Sequence, residues 1–265
     1  MKKEKRNAFR EYLFTIWYGM ISRVDKKAEV QFMNYGFSCP ELTVNLKDIH
    51  ENNRYPIQLY HQIAAKANLD GKDIIEVGSG RGGGLAYLMD NFSPKSAVGV
   101  DLNPIAVNFC NEHYKTPGLS FAQANAEKLP FEDNSQDIVL NVESSHRYAS
   151  MANFLSEVKR VLKPGGLFLI TDFRKSEKMP HLRRTFEESG LAQLLEEFIT
   201  HKVVKALEKD DGRRRILAKK LMPWYLRRTA LNFAAAKGTP TFNSFAEERM
   251  LYFNYVFEKP SYGHD

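Results

Sequence analysis

The sequence predicts an α/β fold in which a doubly wound, mainly parallel sheet carries helices on both faces. Three observations lead there. A glycine-dense turn, Gly78-Ser79-Gly80-Arg81-Gly82-Gly83-Gly84, follows the apolar run Ile74, Ile75 and Val77. Strand-like and helix-like stretches alternate from residue 58 to about residue 172, the order that builds a parallel sheet through helical crossovers. Lys163-Pro164-Gly165-Gly166 then separates a helix end from the buried run Leu167-Phe168-Leu169-Ile170, a stop signal followed by a strand.

Each element follows from its pattern. Ile74 to Val77 suits a buried strand, and Leu85-Ala86-Tyr87-Leu88-Met89 resumes a helical pattern, so the glycines occupy a strand-to-helix turn. Glycine takes positive φ there at little cost and lets a ligand approach the backbone. Ala97-Val98-Gly99-Val100-Asp101 is a second strand ending in an acid. Its offset from the turn, about 20 residues, suits a carboxylate that binds ribose hydroxyls. Asp137 to Glu143 reads as a fourth strand and Leu167 to Phe173 as a fifth, while Met250 to Phe257 forms the last. Gly78, Gly80 and Gly83 also satisfy the G-x-G-x-x-G spacing, so a dinucleotide-dependent dehydrogenase stays open, as do glycines that merely let a helix pack closely on a sheet.

The next stretch separates these readings. Glu76-Val77-Gly78-Ser79-Gly80-Arg81-Gly82, Asp101, Ala126-Glu127-Lys128-Leu129-Pro130-Phe131 and Val158 to Gly166 occur in the order found in class I S-adenosylmethionine (SAM)-dependent methyltransferases, and the chain resembles that family. Within it, Gln31 to Phe37, Asn53 to His61 and Arg81 to Gly84 look like the phthiotriol and phenolphthiotriol dimycocerosate methyltransferases and related natural-product O-methyltransferases. The resemblance implies a Rossmann-like sheet of seven strands whose last strand inserts antiparallel. It implies SAM as cofactor, S-adenosylhomocysteine as product, and methylation of a hydroxyl on a polyketide or other lipid-like small molecule. The chemistry agrees, because SAM carries no phosphate: its ammonium and sulfonium favour acceptors, and its ribose diol suits Asp101.

Carried onto this chain, the family pattern places Glu76, Gly78, Ser79 and Gly80 at the methionine end of the cofactor and Asp101 with Leu102 at the ribose. Asn125, Ala126 and Glu127 fall at the adenine edge, with Asn125 where many relatives have Asp. Tyr35 and Gly36 match a segment that closes over the cofactor, and Asn141 lines its pocket. A hydroxyl needs a base as it attacks the methyl group, and His146, just beyond the fourth strand, takes that role. Asp172 at the end of the fifth strand is its supporting acid, with capping of the next helix as the plainer alternative. Glu143 competes as a site acid, and Tyr148 and Trp224 are expected on the acceptor side.

Two segments lie outside the core pattern. The chain divides as an N-terminal helical cap over 1–57, the cofactor-binding core over 58–174, a helical lid over 175–245 and the final strand with its tail over 246–265. The apolar run Tyr12 to Ile21 behind the basic tip Lys2 to Arg6 is too short to span a bilayer and lacks a secretory cleavage pattern. Seven scattered histidines show no metal-ligand spacing, so no metal is expected, and two cysteines fit a reducing cytoplasm.

The net charge of +6 raises a nucleic-acid methyltransferase as a rival. Yet the basic residues from Lys205 to Arg228 gather in the lid, interleaved with Leu217, Leu221, Met222, Trp224 and Tyr225, a pattern of amphipathic helices that leaves room for peripheral contact with an anionic membrane. The fourth strand also lacks the Asn-Pro-Pro-Tyr ending of amino-methylating DNA enzymes, and no RNA-binding module is visible. The expectation is therefore a small-molecule O-methyltransferase without a nucleic-acid partner. A C- or N-methyltransferase acting on a sterol or quinone precursor remains as the alternative, with a nucleic-acid or protein methyltransferase, an NAD-linked enzyme or a SAM-binding protein behind it.

Overall fold

The computed structural model describes residues 25, 30–44, 46 and 48–261. The basic tip and the apolar run near the N terminus lie outside these residues. Among the described residues, the α-helices and strands begin with α1 (Arg54–Ala64), β1 (Asp73–Val77), α2 (Gly83–Phe92), β2 (Ser96–Asp101), α3 (Pro104–His113), β3 (Leu119–Gln123) and β4 (Gln136–Val142). They continue through α4 (Met151–Val161), β5 (Leu162–Lys175), α5 (Met179–Glu188), β6 (Ala192–Phe198), α6 (Thr200–Lys209), α7 (Asp211–Leu221), α8 (Arg227–Phe233), α9 (Pro240–Ala246) and β7 (Met250–Glu258).

The seven strands form one sheet in the order β3-β2-β1-β4-β5-β7-β6. β1 pairs in parallel with both β2 and β4, and β7 runs antiparallel between β5 and β6. The doubly wound parallel sheet and its antiparallel last strand are those the sequence predicted. The segment 175–245 differs from its helical reading in one respect: Ala192–Phe198 leaves the lid to become β6 at the sheet edge. Its pattern shows why, since Leu194, Leu195 and Phe198 are its only large apolar residues and the strand is largely exposed.

Period-two alternation assigns the strand residues to the two helical layers. In β1, Ile74 joins one core while Ile75 and Val77 join the other. Local signals begin the helices. Asn103 caps α3 through its side-chain oxygen and Pro104 follows; Ser150 caps α4, whose buried Phe154, Leu155, Val158 and Val161 form one stripe.

The sheet order reverses direction between β1 and β4, each of which ends its strand near the other. This topological switch point is where open α/β sheets leave a crevice. Segment 30–44 and helices α6 to α8 cover it, tied together by buried Arg214, which donates to Tyr35 O at 3.0 Å, Ala234 O at 2.7 Å and Asp210 Oδ2 at 3.0 Å. Ser38 N adds a bond to Lys202 O at 3.1 Å.

Candidate active site

The crevice holds a cavity of about 270 Å³ walled by the glycine turn, the end of β2, the residues beyond β4 and Phe32-Met33-Asn34. Gly78 N and Ser79 N both donate to Val100 O, at 2.7 and 3.1 Å, which folds the turn back over β2. Gly78 has φ +81°, and a Cβ there would stand 2.3 Å from Ser144 Oγ. Gly80 has φ +54°, and a Cβ there would meet nothing within 4 Å. One glycine thus permits close packing of the turn on the β4 loop, and the other keeps space clear beside the cavity.

Asp101 closes the next side. Its Oδ2 accepts from Gly80 N at 2.9 Å and its Oδ1 from Asn103 N at 2.9 Å, leaving further lone pairs on both oxygens. Burial raises its pKa, and the amide bonds oppose the rise. Leu102 beside it is 69% exposed at the cavity wall. Glu76 is wholly buried behind the turn; its Oε1 accepts from Tyr60 Oη at 2.7 Å, and burial pushes its pKa up to about 8.

These residues fit a sulfonium nucleoside. Glu76 Oε2, Ser79 Oγ and Asn141 Oδ1 are buried acceptor atoms without a partner among the described residues, and buried polar groups are normally satisfied. An ammonium supplies donors to acceptors of this kind. The cleared space at Gly80 and the free lone pairs of Asp101 suit a ribose carried on the turn.

Beyond β4, Glu143 begins the loop with φ +46° and walls the cavity. Its Oε1 accepts from Tyr35 N at 2.6 Å and Tyr252 Oη at 2.5 Å, and burial pushes its pKa up to about 8. His146 and Asp172 come together as the sequence suggested: Nδ1 lies 2.8 Å from Asp172 Oδ1. Asp172 is fully buried and also accepts from His146 N at 3.0 Å, Ser145 Oγ at 2.6 Å and Phe173 N at 2.8 Å, with Arg174 Nη1 at 3.2 Å. Burial alone would raise this carboxyl, but His146 and Arg174 outweigh it and hold it well below the usual carboxylate range. Burial lowers the pKa of His146 against the opposing pull of Asp172.

Arg147 Nε stands 3.2 Å from His146 Nε2. A guanidinium only donates, so Nε2 is the accepting nitrogen and Nδ1 carries the proton towards Asp172. The Nε2 lone pair is therefore held by Arg147, itself a wall residue of the cavity.

Other expected residues fall elsewhere. Asn141 is buried beneath the wall, its Nδ2 donating to Val77 O at 2.9 Å beside Ser144 Oγ and Tyr148 Oη. Asn125, Ala126 and Glu127 are not wall residues: Asn125 Oδ1 accepts from Glu127 N at 2.9 Å, and Glu127 Oε1 accepts from Ser150 N at 2.9 Å at the start of α4. Tyr35 walls a second cavity, and Gly36 N donates to Asn34 Oδ1 at 2.9 Å. Tyr148 walls the main cavity, whereas Trp224 is 79% exposed and walls neither. Sequence reasoning passed over Phe32, Met33, Asn34, Tyr60, Ser144 and Arg147, all of them wall residues. The nearest signal was the polar loop itself, where Ser144 and Arg147 flank His146. Among the described residues, no three His, Cys, Asp or Glu side chains form a metal-holding group, and no helix is long and apolar enough to cross a membrane.

Known proteins resemble this chain in sequence and in fold. The family described as "Methyltransferase domain" matches residues 75–170. A fatty-acid O-methyltransferase of Mycolicibacterium smegmatis is 39% identical over 92% of this chain and 89% of its own length. The phthiotriol/phenolphthiotriol dimycocerosates methyltransferase of Mycobacterium leprae is 35% identical over 93% of this chain and 92% of its own. In fold, a putative sarcosine dimethylglycine methyltransferase from Galdieria sulphuraria superposes with a TM-score of 0.70 at 17% identity, covering 86% of this chain and 93% of that one.

Proposed function

Since the chain belongs to the SAM-dependent methyltransferases, we propose that it transfers a methyl group to a hydroxyl of a lipid-like small molecule, with His146 as general base and Asp172 as its partner. SAM supplies an electrophilic methyl group when bound. The turn Gly78-Ser79-Gly80 and Glu76 would hold its methionine end and Asp101 its ribose. Phe32, Met33 and Asn34 of the N-terminal segment would close over it, with Tyr35 and Gly36, the residues the family pattern matched, set behind them.

The observation that carries this reading is the oriented imidazole: Nδ1 fixed on Asp172 Oδ1 at 2.8 Å and Nε2 left as an acceptor one side chain from the cavity. A hydroxyl is a weak nucleophile at neutral pH, so a neutral imidazole whose Nε2 can accept its proton adds to its reactivity, and the buried carboxylate stabilises the imidazolium that results. For Nε2 to receive that proton, Arg147 must turn away from the ring, and catalytic hydrogen bonds often form only in the full complex. The relatives named for fatty-acid and phthiotriol acceptors support a lipid-like molecule. The basic residues of α7 and α8 near exposed Trp224 and Tyr225 favour peripheral contact with an anionic membrane that carries such molecules.

The test is methyl transfer from isotopically labelled SAM to long-chain alcohols, hydroxylated lipids and fatty acids, with mass spectrometry locating the label. Label in an ether at the former hydroxyl is expected. Label on carbon or nitrogen, or on carboxylates alone, would sink the hydroxyl reading.

A further inference from the structure

A second cavity of about 120 Å³ lies between segment 30–35 and helices α7 and α8. It shares Phe32, Met33 and Asn34 with the main cavity, so the two adjoin across one short stretch of chain. Its wall is dominated by Met33, Leu217, Leu221, Met222, Ala230 and Phe233. Two arginines also reach it, but both are engaged elsewhere. Arg213 donates through Nε and Nη2 to Asp210 at 2.6 Å, and Arg214 is spent on Asp210 and the carbonyls of Tyr35 and Ala234. What remains for a ligand is apolar surface. Around it, Ala218, Met222 and Ala230 form a small buried cluster, packed against Val30 and Met33 and separate from the two cores of the sheet.

We propose that this second cavity is the hydrocarbon-chain site of the acceptor, with Ala218 and Ala230 setting how much chain it takes. The inference rests on the lipid-acceptor reading and deepens it. Three features commit the cavity to an alkyl chain and not to the cofactor. It shares Met33 and Asn34 with the main cavity, so a molecule with its oxygen near Glu143 and Arg147 would enter it past one short stretch of chain. It carries no uncommitted charge to recognise a polar group. Its size suits a few methylenes; an apolar engineered cavity on the order of 150 Å³ stays dry and takes benzene. The two alanines matter because a larger side chain at either would occupy the space, whereas trimming Leu221 would enlarge it.

The test uses the full chain with a series of acceptors that differ only in chain length: butanol, octanol and hexadecanol, and the acids that correspond to them. In the wild type, kcat/KM should climb from butanol to octanol by at least tenfold, since each buried methylene contributes roughly a fourfold factor. Ala230→Phe should flatten that climb while the dissociation constant for SAM, read by calorimetry, changes less than threefold. Leu221→Ala should move the preference towards the longer chains, and it serves as the reporter should Ala230→Phe fail to bind SAM. In parallel, the fluorescence of cis-parinaric acid should rise on binding wild type and fall at least fivefold in affinity for Ala230→Phe. If the wild type methylates none of these acceptors, the function reading falls, and parinaric acid binding then decides the cavity on its own. A chain-length preference and parinaric affinity that neither substitution moves would overturn the proposal and leave the function intact.

Discussion

His146 Nδ1 lies 2.8 Å from Asp172 Oδ1 while its Nε2 accepts from Arg147 Nε at 3.2 Å, so the chain holds this imidazole in one tautomer from both sides. Replacing His146 by Ala should lower turnover by about two to four orders of magnitude, the usual worth of one acid-base group. SAM affinity should stay near that of the wild type, because His146 does not wall the main cavity. Turnover within threefold of the wild type would remove the ring from the mechanism and turn attention to Glu143, which does wall it.

The same pair sets a pH dependence. A base works unprotonated, and burial lowers the His146 pKa from the ordinary 6.5, so the acid limb of kcat/KM should lie below pH 6.5. Asp172 pulls the other way, and Asp172→Asn should shift this limb further towards acid while also lowering turnover through loss of the tautomer. A limb that stays in place in both Asp172→Asn and His146→Gln belongs to another group.

Asp101 is a different kind of residue, since its carboxylate receives Gly80 N and Asn103 N and keeps lone pairs for a ribose. Asp101→Asn should weaken SAM binding by about tenfold or more, the scale of a hydrogen bond to a charged group, with a smaller effect on turnover at saturating SAM. Calorimetry beside saturation kinetics separates the two. Equal SAM affinity in variant and wild type would deny Asp101 the ribose.

Much of this was legible in the chain, for reasons that differ by residue. Backbone-determined features read well: the turn at Gly78 to Gly84 stands between a strand-like and a helix-like run, and Asp101 ends the short apolar run Ala97 to Val100. His146 and Asp172 could be paired because β4 and β5 are neighbours and their ends lie side by side. The walls added by Phe32, Met33 and Asn34 were not legible as such, because an irregular segment reaches the site only through long-range packing, held by Glu143 and Arg214 more than a hundred residues away. Glu143 was underweighted for the same reason: its partners Tyr35 and Tyr252 sit at opposite ends of the chain. β6 eluded the sequence because an exposed edge strand carries too few apolar residues to show a period of two.

The two glycines of the turn should respond differently to alanine. At Gly78 a Cβ would collide with Ser144 Oγ at 2.3 Å on a backbone with φ +81°, so Gly78→Ala should lower both Tm and SAM affinity. At Gly80 the added methyl meets nothing within 4 Å, leaving only the strain of φ +54°. Gly80→Ala should therefore lose SAM affinity at least tenfold with a drop in Tm of a few degrees at most, the scale of about 1 kcal/mol in a chain of this size. Thermal unfolding followed with and without SAM checks both. Equal SAM affinity in Gly80→Ala and wild type would place the cofactor away from this turn.

Glu143 and Glu76 each carry a carboxyl that burial pushes from 4.5 up to about 8, which gives folding itself a pH dependence. A raised pKa means that the folded state binds more protons than the unfolded state between those values, so stability is present in full below about pH 4.5 and is lost as pH rises through about 8. Asp172 has the opposite sign: its lowered pKa stabilises the fold above the ordinary 3.8 and loses that effect in acid. His146, whose pKa burial lowers from 6.5, adds stability as pH rises to that value, so the cofactor-free chain should show its highest Tm near pH 6.5, with a decline from there towards pH 8. Glu143→Gln keeps an oxygen for Tyr35 N and Tyr252 Oη and removes the titration, so the decline should become shallower. An identical slope in variant and wild type between pH 5 and 8 would mean that Glu143 ionises in the fold as readily as in the unfolded chain, and that its place between Tyr35 and Tyr252 costs the charged form nothing.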